Sequence, residues 1–423
     1  MAAREVIETV AIVLAAGLVS DVVGSLLRIP RMVVLLGAGA LLGPHVIDRL
    51  DLPLDSVGVQ LLFTLGVSLI LFHGGLGLSS AVLRPVLGGL LLLAVPGVVL
   101  TALVTGAVAA LAFDIPLEVG FLIGAVLAPT DPAILVPLFE RMRIRPKVVQ
   151  TVVAESALND PVGAVLALSL AAYVVEGGGS FTDPLQDFVV DLVVSTALGV
   201  ALGVALALAV SHLRLGLWRD SAPVAVLLVV AGGYFTIDSA GGSGYLGAFL
   251  AGLIVGNMEA LGLGMHPERK RELSFFAAFA SDLMVIFIFV ALGANLPFDR
   301  MADHALPALA VIAGLILVAR PLTVVLSLLA DRRGRWRRNE IAFVAWTRET
   351  GVVPAALAGV LVASGIPHGD ELLTAVALAV IVTLLVQATT KAWLAGRLGL
   401  ADPVAVPFDP TEPPPAPRGH VGV

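Results

Sequence analysis

Apolar residues run along this chain in blocks of about 20, parted by short polar or basic breaks, from residue 6 to residue 390. A block of about 20 such residues crosses a hydrocarbon core of about 30 Å as an α-helix. Period-two alternation is absent, so the blocks predict helices that satisfy their own backbone, not the strands of a barrel. Thirteen spans are expected, at 6–27, 32–47, 57–78, 86–113, 117–139, 148–175, 188–212, 221–237, 245–258, 274–296, 305–330, 341–363 and 372–390. The division between the eighth and ninth rests on Gly241-Gly242-Ser243-Gly244 alone.

The pattern also repeats. Spans 2 and 9 are short, and spans 5 and 12 are interrupted mid-membrane, by Pro129-Thr130-Asp131-Pro132 and by Thr347-Arg348-Glu349-Thr350-Gly351. The members of each pair stand seven spans apart, and an odd offset inverts topology. Paired broken helices of this kind point to the midplane site of a transporter. The expected fold class is an all-α polytopic membrane protein of 13 transmembrane helices in two inverted six-helix repeats. The first repeat covers 6–175, a linking helix 184–212 and the second repeat 221–396, and the proline-rich stretch 401–423 reads as a disordered cytoplasmic tail.

Composition agrees with a chain solvated by lipid, its expected surroundings. Of 423 residues 58% are hydrophobic and 13% charged, against about 25% charged in a globular average, and the mean hydropathy is +1.00. No sizeable soluble domain remains and nothing suggests a nucleic-acid partner. The absence of cysteine excludes disulfides, thiolate metal sites and a cysteine nucleophile. No P-loop, His-x-x-x-His pair or nucleophile elbow is present, so neither ATP-driven transport nor hydrolase chemistry has support, and no cofactor is expected. The start of the chain lacks a signal peptide's basic region, and the first helix is expected to serve as its own insertion signal. Loops after odd-numbered spans, with the tail, hold 20 Lys and Arg, Lys391 included, and the opposite side holds three. The positive-inside rule then places the N-terminus outside and the C-terminus in the cytoplasm, with the cell membrane as the expected location.

Against this background the buried charges stand out, because an ionisable group at membrane depth persists only with partners or a polar cavity. Two prolines flanking Thr130-Asp131 should unwind span 5 and expose carbonyls beside a carboxylate, which suits a small hard cation. In span 6, Glu155 and Asn159 stack on one helix face, and Ser156 and Asp160 on the adjoining one. Asp160 is the best candidate to hold either a cation or a proton. Arg320 in span 11 cannot shed its charge and needs a carboxylate, for which Glu155 is the expected partner. Arg348 either pairs with Glu349 locally or sets positive charge against opposing carbonyl ends. Asp21, His73 and Asp282 are weaker candidates, as scaffold, pathway or pH-modulating groups.

At these residues the chain resembles the cation/proton antiporter-1 family, the NhaP-type antiporters related to animal sodium/proton exchangers. The carriers are Phe72-His73-Gly74-Gly75-Leu76, Thr130-Asp131-Pro132, Glu155 through Asn159-Asp160, Ala319-Arg320-Pro321 and the stretch from Trp346 to Ala356. The resemblance implies the antiporter fold and alternating access. Asp160 then exchanges ion and proton, with Asp131, the Thr130 carbonyl and Ser156 as cation ligands, Glu155 and Asn159 as further candidates, and Arg320 paired with Glu155. It also implies a homodimer, with a core at 86–175 plus 304–396 moving against a dimerising scaffold at 6–78 plus 184–296. Asn159, where electrogenic relatives carry a second Asp, suggests one monovalent cation, sodium or lithium, per proton. Potassium/proton exchange on the same scaffold is the alternative, and an intramembrane aspartyl protease or an ion channel are remote ones. Two departures bear on ion choice. His73 stands where the motif commonly has Glu, and Trp346 to Gly351 replaces a common Gly-Leu-Arg-Gly, which adds the carboxylate of Glu349.

Overall fold

Each apolar block is helical in the computed structural model, which describes residues 3–131, 144–177, 183–213, 216–332 and 334–400. Outside them lie the second half of predicted span 5 from Pro132, the loop residues Arg141, Arg143, Arg214 and Arg333, and the expected tail 401–423 with Arg418. Among the described residues nine helices are long and apolar enough to cross a membrane, and four shorter apolar helices accompany them.

In chain order the helices are α1 (Ala3–Leu27), α2 (Arg31–Leu42), α3 (Val57–Leu76), α4 (Leu87–Phe113) and α5 (Leu117–Leu127). After them come α6 (Pro146–Val175), α7 (Asp183–Val210), α8 (Ala222–Ser239), α9 (Gly244–Gly256) and α10 (Pro267–Ala294). The chain closes with α11 (Phe298–Ala330), α12 (Arg338–Trp346), α13 (Val352–Ala363) and α14 (Gly369–Arg397).

Between helices in lipid there is no hydrophobic gain, so close approach of small residues supplies the attraction. At the crossing of α4 and α5, a Cβ on Gly124 would strike the Ala102 carbonyl. Where α2 meets α10, Gly39 abuts the Val290 carbonyl, Gly43 the Ala294 backbone and Gly293 the Leu36 carbonyl, which accounts for the glycines at 39 and 43. In α7, Gly199 lies against Gly247 and Gly203 against Ala251 of α9. Helices α4 to α6 pack with one another and with α11 to α14, while α1 to α3 pack with α7 to α10; between the two groups α3 and α10 meet α13, and α3, α7 and α9 meet α6.

Both predicted breaks are non-helical. Helix α5 stops at Leu127, two residues before Pro129, which offers no N–H to continue the ladder. Residues 347–351 separate α12 from α13, and Pro354 falls in the first turn of α13, where an N–H would have no partner within the helix. The breaks touch, since the Asp131 N–H donates to the Glu349 carbonyl at 2.9 Å.

Two π-helical turns were not foreseen. One, Leu315–Ala319, leads directly into Arg320, and the following Pro321 has no N–H for the Leu317 carbonyl. The other, Thr383–Gln387, lies inside α14. That helix also corrects the predicted end of span 13 at residue 390. It continues to Arg397, so Lys391 is a fully buried helix residue and not part of a cytoplasmic loop.

Candidate functional site

Thr130 is held from two sides by α6. Its N–H donates to Asn159 Oδ1 at 3.1 Å, and Asn159 Nδ2 donates back to Thr130 Oγ1 at 2.8 Å. Ser156 Oγ donates to the Thr130 carbonyl at 2.5 Å. Its proton being committed there, the 3.0 Å contact between the two hydroxyls must be donated by Thr130. The donors thus run from the Asn159 amide to the Thr130 hydroxyl, on to the Ser156 hydroxyl and back to the Thr130 carbonyl. The expected polar stripe of α6 splits accordingly. Ser156 and Asn159 shape the unwound backbone, and Asn159 spends both amide atoms on Thr130.

Glu155 and Arg320 form a buried two-pronged pair. Nη1 meets Oε1, and Nη2 lies 2.9 Å from Oε2. Both carboxylate oxygens are engaged, which leaves Glu155 poorly placed as a cation ligand. Nη2 also donates to the carbonyls of Val344 at 3.2 Å and Thr347 at 3.1 Å, so this arginine joins α6 and α11 to the last turn of α12 at the break.

Arg348 shows the second of the two placements open to it. Its Nη2 donates to the carbonyls of Leu127 and of Ala128, the latter at 2.9 Å, where the end of α5 gathers partial negative charge. A local Arg348–Glu349 pair does not form. Glu349 instead turns to Lys391 of α14, with both side chains fully buried. Lys391 was missed by sequence reading because a lysine just past an apolar run looks like a topology signal. The signal that would have found it was the surplus acid at the span 12 break, which needs a base. Three hydrogen bonds sew that break to α14: Thr350 N–H to Thr383 Oγ1 at 3.0 Å, Gln387 Nε2 to the Trp346 carbonyl at 2.8 Å and Trp346 Nε1 to Thr390 Oγ1 at 2.9 Å.

Asp160 and Asp131, 9% and 6% exposed, both line a cavity of about 290 Å³. Asp160 Oδ1 is buried with no hydrogen-bond partner among the described residues. Immediately after it Pro161 withholds an N–H from the Ala157 carbonyl, and Gly163 makes room for the ring of Pro129. His73, Gly74, Ser281 and Asp282 line the same cavity as the two carboxylates. The exposed carboxylates of Asp21 and Asp282 take Arg31 between them at 2.8 and 2.7 Å. His73 and Asp282 therefore share a cavity wall with Asp131 and Asp160.

Gly351 backs directly onto the side chain of Asp131, and a Cβ there would collide with its Cβ, Cγ and Oδ2. In Gly351→Ala the carboxylate has to move. The protein is expected to fold with a lower thermal unfolding temperature in detergent, from an overpacking cost of about 1–3 kcal/mol.

The family model described as sodium/hydrogen exchanger, transmembrane, matches residues 10–396. K(+)/H(+) antiporter NhaP2 of Shewanella oneidensis is 31% identical over 400 residues, which cover 91% of this chain and 66% of that protein. Two Methanocaldococcus jannaschii proteins also match. Probable Na(+)/H(+) antiporter 2 is 27% identical over 369 residues, 84% of each chain. Na(+)/H(+) antiporter 1 is 29% identical over 345 residues, 78% of this chain and 77% of its own. The structure of the sodium proton antiporter MjNhaP1 from that organism at pH 8 superposes with a TM-score of 0.75 and 25% identity over 94% of this chain and 99% of its own. This chain thus spans just under two thirds of the length of the Shewanella relative, and more of the archaeal ones.

Proposed function

This chain belongs to the sodium/hydrogen exchanger family, and on that premise we propose that it is a secondary antiporter, not an enzyme. It exchanges one monovalent cation, sodium or lithium, for one proton across the cell membrane. One observation carries this reading. Asp160, whose Oδ1 has no donor among the described residues, lines one cavity together with Asp131, where the two breaks meet. A carboxylate so placed takes a proton or a cation, not both, and the competition couples the two fluxes.

Asp131 and the free lone pairs of the Thr130 carbonyl and Ser156 hydroxyl complete the cation's oxygen shell. Asn159 holds Thr130 in place, and the pair of Glu155 with Arg320 is structural. The nine long and four short helices support a count of thirteen spans in inverted repeats, because the short ones are the second, fifth, ninth and twelfth. The packing groups likewise support a core of 86–175 plus 304–396 that rocks against a scaffold of 6–78 plus 184–296; a homodimer formed through the scaffold belongs to the same proposal. With the N-terminus outside and the C-terminus in the cytoplasm, the Arg31 that pairs with Asp282 of the cavity wall lies on the inward side.

Purified protein in liposomes carrying a pH reporter tests the proposal. Addition of sodium or lithium, but not choline, is expected to move protons. The Shewanella relatives, at 31 to 32% identity, are named potassium/proton antiporters, which favours potassium as the second reading. A response to potassium alone would establish that reading, and a response to none of these ions would end both.

A further inference from the structure

Basic side chains gather at the end of the core where α4, α6 and α12 begin and α11 and α14 stop, above an apolar cluster shared by Leu93, Val149, Leu328, Phe343 and Ala395. Two carboxylates stand among them in the described residues, and both are occupied. Glu340 takes Arg145 at 3.3 Å and Lys147 at 3.0 Å. Asp331, against Gly89 of α4, accepts from Trp336 Nε1 at 3.1 Å and from the Gly334 N–H at 3.2 Å. Arg332, Arg335, Arg337, Arg338 and Arg397 are exposed, and none forms an ion pair among the described residues. Lys147 also fastens the segment 331–338 that carries four of them: its Nζ donates to the Gly334 carbonyl at 2.8 Å and lies 3.9 Å from the centre of the Trp336 ring. The arginines therefore project from a held surface.

A topology signal needs positive charge, whether paired or not. On the scaffold much of it is paired. Arg31 lies between Asp21 and Asp282, Arg269 between Asp220 and Glu272, and Lys270 on Glu259. Arg28, Arg219 and Arg271, unpaired among the described residues, stand on three separate segments. The core keeps its five together, and their depth is marked as well. Exposed Leu322, Leu326 and Leu329 recur every three or four residues along α11, and Arg332 follows three residues on. On α14 the exposed Trp393 holds the Arg397 guanidinium 5.3 Å from its ring centre. Apolar side chains that give way to tryptophan and arginine mark the level of lipid headgroups.

We infer that this end of the core binds anionic phospholipids, with the five arginines taking headgroup phosphates. A guanidinium offers two parallel N–H donors that match two phosphate oxygens, and a cluster of about four to eight basic residues just beyond a membrane helix attracts anionic lipid. A lipid, not a soluble phosphate, is the occupant because the two helices that lead to the arginines present exposed apolar side chains up to them. Lipid charge then acts on the half of the protein proposed to move. The inference goes beyond the antiport reading and does not depend on it, since it concerns binding and not exchange.

Tryptophan quenching tests this, in phosphatidylcholine vesicles that receive either brominated phosphatidylglycerol or brominated phosphatidylcholine. Every protein carries Trp218→Phe, so that the signal comes from Trp336, Trp346 and Trp393 of the core. With the arginines intact, the anionic lipid is expected to bind at least about fivefold more tightly than the neutral one, the effect of one engaged arginine. That preference should shrink in choline chloride at about 0.5 M, as the charges are screened. Arg332→Gln/Arg335→Gln/Arg337→Gln/Arg338→Gln should bring the ratio to within about twofold of unity. Arg219→Gln/Arg271→Gln on the scaffold should leave it unchanged. Equal binding of the two lipids with the arginines intact, a preference indifferent to salt, a preference retained by the quadruple variant or an equal loss in the scaffold variant would overturn the inference. So would abolition of the preference by millimolar glycerol phosphate, which would mark a site for soluble phosphates. Basic loops also set orientation, and should the quadruple variant fail to insert, Arg332→Gln/Arg397→Gln takes its place. There a ratio lowered at least about twofold supports the inference and an unchanged one overturns it. Absence of cation-dependent proton movement in wild type is a different result, which removes the antiport reading alone.

Discussion

Asp160→Asn is expected to lower cation-dependent proton movement to the background of protein-free liposomes, for every cation that drives the wild type. The amide keeps the shape of the carboxylate but accepts no proton and contributes no charge to a cation. Both halves of the exchange are lost together. Folding should survive, since Asp160 Oδ1 makes no hydrogen bond among the described residues and the polar clamp on Thr130 is built from Ser156 and Asn159. Retention of the wild-type gel-filtration profile would show that the loss is chemical. Residual cation-dependent proton flux in the folded variant would transfer the exchanging role to another group, with Asp131 the nearest candidate on the cavity wall.

Arg320→Met is expected to fail differently, through stability. It leaves the Glu155 carboxylate buried without its counter-charge, a loss of about 3–5 kcal/mol. Two carbonyls at the end of α12, those of Val344 and Thr347, lose a donor as well. A large fall in the thermal unfolding temperature in detergent checks this. Adding Glu155→Gln should recover only part of the loss, because the amide removes the stranded charge but cannot reach both carbonyls in place of the guanidinium. Full recovery in the double variant would mean that the carboxylate alone was at stake, and that the arginine is not what ties α12 to the core.

The all-helical membrane architecture and the two interruptions were legible in the chain because each follows from local chemistry. Hydropathy at this length admits only helices, and prolines around Thr130-Asp131 prevent one from continuing. The need for a carboxylate opposite Arg320 was legible for a similar reason, as a guanidinium does not become neutral in a dry interior. What the chain concealed were contacts to atoms that carry no residue identity. Arg348 lies against backbone carbonyls of α5, which no pattern of side chains announces. Lys391 was concealed by its position at the edge of an apolar run, where counting treats a lysine as a loop marker, whereas α14 carries it inward to Glu349. The split of α6 between clamp and site was likewise hidden, since four polar residues on adjoining faces look equivalent until the direction of each hydrogen bond is known.

The π turns at Leu315–Ala319 and Thr383–Gln387 carry one consequence of a different kind. Each holds one residue more than an α-helix needs over the same rise, so every residue beyond it lies about 100° behind where an uninterrupted α-helix of the same sequence would place it. Arg320 follows the first turn at once and Lys391 follows the second by a turn of helix, so both owe their azimuth to that extra residue. Were the same residues wound as a regular, uninterrupted α-helix, each cation would be turned about 100° from the partner it now meets. In this protein, helix phase is a stored quantity, written as residue number and spent on aiming two charges.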